Sequence, residues 1–175
     1  MTQVGTKTTA ASGKIKVQSV RPSLTFKERT EEAVNFYVSL FPNSKVLSLL
    51  RAEANGPIPE GSVLHASFQL DGQEYTAFDG GPSFTFTEGF SFVATCDTQK
   101  ELDETWARLA ADGGEEGPCG WLKDRFGVSW QVVPASLGTM MSDPKSGNPA
   151  KMMEALLKMR KLDIATLERA YRSGS

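Results

Sequence analysis

The sequence predicts an α+β protein made of paired βαβββ modules, with C-terminal helices added. Three observations carry that expectation. Two stretches, residues 14–81 and 82–134, each set one amphipathic helix among runs with the period-two alternation of strands, in the same order. The pair Asp71-Gly72 divides two such runs as a tight hairpin turn does. After Pro134 the apolar spacing is that of helices alone, and helices gathered on one side of antiparallel sheets define the class.

The first module opens with a strand within residues 17–26, where Pro22, Leu24 and Phe26 alternate with Arg21, Ser23 and Thr25. A helix follows. Thr30 is placed to cap it, Glu31 and Glu32 suit its positive end, and Ala33, Phe36, Tyr37, Leu40 and Phe41 recur on one face before Pro42 stops it. Residues 45–51 read as a strand, 55–61 (NGPIPEG) as a loop, and 62–70 with 73–78 as the arms of the hairpin.

The second module repeats that order after the Asp79-Gly80-Gly81-Pro82 junction. Residues 90–96 form a strand, and Thr98-Gln99-Lys100-Glu101 writes a capping box for a helix whose stripe is Leu102, Trp106, Leu109 and Ala110. Gly113-Gly114 ends it. Short strands over 115–119 and 121–123, a turn over 124–127 with Asp124 bonding backbone amides, and a strong strand over 128–133 complete the unit. In the extension, residues 135–175, Asn148-Pro149 starts one helix with Met152, Met153, Leu156 and Leu157 as its stripe, and Asp163 caps another carrying Ile164, Leu167 and Tyr171.

Composition narrows the function. In a chain of 175 residues, 19 Lys and Arg against 21 Asp and Glu leave a net charge of −2, which excludes a general nucleic-acid surface. No apolar run approaches the roughly 20 residues of a spanning helix, so no membrane partner is expected. Cys96 and Cys119 form no CxxC pair and read as reduced thiols of a cytoplasmic protein. Residues 1–13 lack the apolar stretch of a secretory signal and are expected to be a disordered tail.

Strand alternation sorts the candidate site residues. Leu64, Ala66, Phe68 and Leu70 fall on one face and His65, Ser67 and Gln69 on the other; Trp130 and Val132 oppose Ser129 and Gln131; Phe92, Ala94 and Cys96 oppose Ser91. The polar faces are either solvated or the wall of a small-molecule cup. Trp121 is a candidate for stacking on a planar ligand, whereas Trp130, beside Val132, belongs to the core.

Four segments carry a resemblance: EEAVNFYVSLFPNSKV at 31–46, GGPSFTFTEGFSF at 80–92, CGWLKDRFGVSWQVVP at 119–134, and KMMEALLKMRKLDIATLERAY at 151–171. Over residues 15–171 the chain resembles the PhnB-like, 3-demethylubiquinone-9 3-methyltransferase-type branch of the vicinal oxygen chelate superfamily of glyoxalase and dioxygenase relatives. The resemblance implies paired modules around a cup and a homodimer. It also implies metal-ligand positions near Arg21, Thr76, Phe90 or Ser91, and Gln131, of which only Gln131, four residues after Gly127, offers a weak neutral ligand.

The expectation is therefore a small-molecule-binding protein with a metal-free pocket and no cofactor, lined by Ser23, His65, Ser67, Thr76, Ser91, Trp121 and Gln131. The alternatives are a metal-dependent lyase, isomerase or dioxygenase using His65 and Gln131, and a structural dimer without a ligand. Methyl transfer reads as inherited nomenclature, because neither glycine pair stands in a strand–turn–helix that could cradle adenosylmethionine.

Overall fold

Each half of the chain folds into its own four-stranded mixed sheet in the computed structural model, which describes residues 15–173. The first half runs β1 (Ser23–Phe26), α1 (Thr30–Leu40), β2 (Lys45–Arg51), β3 (Val63–Leu70) and β4 (Gln73–Asp79); the second runs β5 (Ser91–Cys96), α2 (Gln99–Ala110), β6 (Glu115–Glu116), β7 (Trp121–Lys123) and β8 (Ser129–Pro134). The spatial orders β1-β4-β3-β2 and β5-β8-β7-β6 are the same order twice. In each sheet the first strand lies parallel to the last, and the other pairings are antiparallel. The duplicated βαβββ plan is thus present, followed by α3 (Leu137–Ser142), α4 (Pro149–Leu156) and α5 (Ile164–Arg172). The tail expected over 1–13 lies outside the described residues.

Locally encoded features appear where the residues place them. Asp71 and Gly72, with φ of 43° and 84°, make the hairpin turn, which needs left-handed backbone at both positions. Both bonds of the Thr98–Glu101 capping box form, and Asn148 and Asp163 accept from the backbone amides of Lys151 and Thr166 to start α4 and α5.

Three expectations need correction. The first strand begins only at Ser23: Val17 and Val20 are exposed, and Pro22 has no amide to give a partner. Thr30 does not cap α1. It is the first helical residue, fully buried, and its amide donates to Asp79 Oδ1 at 3.0 Å, so a carboxylate 49 residues away supplies the acceptor. Leu64 does not share the buried face of Ala66, Phe68 and Leu70, because the pairing of β2 with β3 skips it between Val63 and His65; Val63 is buried in its place.

One core serves both halves. Tyr37 of α1 lies against Trp130 of β8 with ring centroids 5.6 Å apart, Trp130 stacks on Phe92 at 4.6 Å, and Phe92 meets Tyr75 of β4 at 5.3 Å. Asp124, in the turn between β7 and β8, ties the polar tips of this cluster together. Its Oδ2 accepts from the Tyr37 hydroxyl and from Trp130 Nε1, both at 2.8 Å, while Oδ1 accepts from the amides of Phe126 and Val128. Burial pushes the Asp124 carboxyl up, and the four donors pull it back without cancelling that effect. Burial, with the Asp124 charge next, raises Tyr37 far above the usual phenol range.

The extension docks on the second module. The Gln99 side chain donates to Leu162 O and accepts from Ile164 N, and the amides of Cys119 and Gly120 donate to Met159 O and Arg160 O. Gly120, at φ 82°, has room for no side chain: a Cβ there would lie 2.9 Å from Val132 O.

Replacing Asp124 by Asn puts a donor where four donors converge. Asp124→Asn is expected to lower unfolding free energy by about 3 kcal/mol in urea denaturation; a loss below about 0.5 kcal/mol would show that Asp124 does not hold the halves together.

Candidate functional site

The polar residues singled out from the sequence fall into two groups on two sheets. On the first, Ser23, Thr76 and Ser67 lie side by side across β1, β4 and β3, with His65 two residues before Ser67 on β3 and paired with Leu50. On the second, Val93, Gln131 and Trp121 form one row across β5, β8 and β7, and Ser91, Ser129, Lys123 and Glu115 form the next. Gln131 Nε2 donates to Ser91 Oγ at 2.9 Å. The structure therefore gathers Ser91, Gln131 and Trp121, and separately Ser23, Ser67, Thr76 and His65. None of the cavities described below is lined by residues of both groups.

The second sheet carries a hollow. A cavity of about 410 Å³, within the size range of small-molecule sites, lies along β6 and β7. Trp121, Leu122 and Pro118 give it apolar walls, and Lys123 pairs with Glu88 at its edge. Pairing lowers the Glu88 carboxyl and raises the Lys123 amine. Ser129 also lines the cavity; it is 1% exposed, and its hydroxyl has no hydrogen-bond partner among the described residues. A buried hydroxyl without a partner costs free energy, and a ligand group able to bond it would recover that cost.

Trp121, singled out from the sequence, lines this hollow. Lys123 was not picked out, although two-residue alternation puts it on the same strand face as Trp121. Ser129 was read as one polar residue of a face that was either solvated or the wall of a cup; in the structure it is buried and lines the hollow. Glu88 carries no comparable signal, since it lies in the irregular segment between β4 and β5.

The donor set does not fit a resident divalent ion. His65 and Gln131 stand on different sheets, the neighbours of Gln131 are Ser91, Val93 and Trp121, and the Arg21 position is occupied by a cation paired with Glu74 at 2.9 Å. Among the described residues no group of three or more His, Cys, Asp or Glu is gathered where it could hold a metal ion.

Duplicated βαβββ units with this strand order define a glyoxalase-like member of the vicinal oxygen chelate superfamily. A family model described as 3-demethylubiquinone-9 3-methyltransferase matches residues 18–133. The chain is also similar to the solved structure of a PhnB protein from Bacillus cereus, with 40% identity and a TM-score of 0.62, covering 67% of this chain and 100% of that one. A crystal structure of a Pseudomonas aeruginosa protein shares the fold at 22% identity and a TM-score of 0.56, over 67% of this chain and 98% of that one. No curated protein matches. The chain belongs to the 3-demethylubiquinone-9 3-methyltransferase family, in its PhnB-like branch, and α3 to α5 lie beyond the matched residues.

Proposed function

We propose that the chain is a small-molecule-binding protein whose ligand occupies the hollow beside Trp121 without a resident metal ion. The observation that carries this reading is the pairing of an apolar, Trp-walled cavity with the buried, unpartnered hydroxyl of Ser129. Such a site suits a compact molecule with an apolar, preferably planar body and one group that bonds Ser129. Ser91 and Gln131, already bonded to each other next to Trp121, extend the polar side of the same face.

Methyl transfer, the activity in the family's name, finds no support in the backbone. Gly113-Gly114 follows a helix and Gly80-Gly81 leads into an irregular segment, whereas an adenosylmethionine cradle needs a glycine turn between a strand and a helix N-terminus. Free Cys96 and Cys119 accord with a reducing, cytoplasmic setting.

A homodimer completes the proposal. Leu50, paired with His65, and Val93, paired with Gln131, leave 59% and 57% of their surfaces exposed on the two polar faces. A second copy covering these faces would bury them and give the Ser23, Ser67, Thr76 and His65 group an opposing wall.

A thermal-shift screen of small planar molecules, run on chelator-treated protein, checks the ligand reading. Hits present at 100 times their dissociation constant are expected to add about 2.7 kcal/mol of stability. Trp121→Ala and Ser129→Ala are expected to remove most of that gain while barely changing the unliganded midpoint. Hits that appear only after Mn²⁺ or Zn²⁺ is added would replace this reading with the metal-dependent enzyme, and tight adenosylmethionine binding in calorimetry would reinstate methyl transfer. Light scattering is expected to return twice the mass of one chain; a monomer at about 100 μM would sink the dimer.

A further inference from the structure

A second hollow, of about 320 Å³, opens between the modules and is not used by the proposed site. Its walls come from three distant parts of the chain: the end of β1 with the approach to α1, the segment joining the modules, and the turn between β7 and β8. Four phenylalanines, Phe26, Phe84, Phe86 and Phe126, supply the apolar surface. Phe26 meets Phe86 edge-on at 5.0 Å and Phe126 at 6.4 Å, so the rings support one another from different elements.

The charge on these walls has one sign in excess. Lys27, Arg29, Lys123 and Arg125 face a single lining carboxylate, Glu28. Three of the cations are held from outside the hollow, Arg29 by Glu32 at 2.6 Å, Arg125 by Asp112 at 2.6 Å and Lys123 by Glu88. Lys27 makes no ion pair among the described residues. Those outer carboxylates fix the positions of the cations without occupying the hollow.

Arg125 is the most constrained of the four. Its guanidinium lies over the Phe36 ring at 4.4 Å and the Phe126 ring at 5.1 Å, and only 21% of the side chain is exposed. One terminal nitrogen is bonded to Asp112 and the other lies 3.9 Å from Glu32 Oε1, while Nε is buried with no acceptor among the described residues. A stacked, anchored guanidinium has already lost its rotamer freedom, so an anion meeting it faces little further ordering cost. A planar carboxylate suits that plane better than a point ion does.

We propose that this inter-module hollow binds a small aromatic carboxylate, its ring among the four phenylalanines and its carboxylate shared by Lys27 and Arg125. The site is separate from the Trp121 hollow, with Lys123 lining both. Each can therefore fail without the other.

Isothermal calorimetry on the full chain, with phenylacetate as the probe, tests the assignment. Saturable binding is expected, and phenylacetamide, the same body without the charge, should bind about ten-fold more weakly or worse. Lys27→Gln, at an exposed position, is expected to weaken phenylacetate about five-fold or more with an unchanged melting point, and Arg125→Lys, which keeps the charge but loses the planar fork, to weaken it similarly. Trp121→Ala should leave phenylacetate affinity unchanged. Equal binding of the amide, no effect of Lys27→Gln, loss of binding in Trp121→Ala, or absence of saturable binding would each overturn the proposal. So would displacement by inorganic phosphate at matching concentration, which would mark the hollow as a general anion sink.

Discussion

A single buried carboxylate sets the relation between the two halves of this protein. Asp124 sits in the turn of the second module, yet one of its oxygens takes a hydrogen bond from Tyr37 on the first module's helix and another from Trp130 on the second module's last strand. The rings of Tyr37 and Trp130 are in van der Waals reach of each other, and Phe92 and Tyr75 carry the contact on into the first sheet. Without that acceptor two donors would be stranded in an apolar interior, where they cost far more than they do in water. The helix-facing sides of both sheets are therefore committed to one core, and the opposite sides are left outside it.

That division of labour explains where the hollows lie. Side chains facing the shared core are large and apolar, and their neighbours along each strand point the other way. Beside Trp121 there is a hollow with an unbonded hydroxyl among its lining, and at the module junction one lined by four cations and four phenylalanines, with Arg29 and Arg125 over the Phe126 ring. Both are made by elements that Asp124 and its turn hold in register. The first hollow lies on a sheet face, the second where the modules meet, and their chemistries differ accordingly.

How much of this could be read from residues alone depended on how far each interaction reaches along the chain. The Thr98–Glu101 box, the Asp71-Gly72 turn and the Asn148 and Asp163 caps involve groups within a few positions of one another, so residue type and spacing suffice. The cap of α1 was misplaced because its acceptor, Asp79, comes from a strand 49 residues on. Asp124 was legible as a turn residue bonding backbone amides, but its partner Tyr37, 87 residues away, was not. Likewise alternation placed Gln131 and Ser91 on one face, while the pairing that adds Trp121 to it is visible only in the fold, and the skipped Leu64 broke the pattern on the first sheet. Whether a face is open or hollowed depends on curvature and on loops such as the one bearing Glu88, which no period encodes.

The central claim, that Trp121 faces the ligand while Trp106 and Trp130 belong to the core, can be read directly, since the chain has 3 Trp. Fluorine NMR of protein labelled with 5-fluorotryptophan gives one resonance per site. Titration with a stabilising planar molecule is predicted to move the Trp121 signal and leave the other two in place. A titration that moves Trp130 or Trp106 while Trp121 stays fixed would contradict the account.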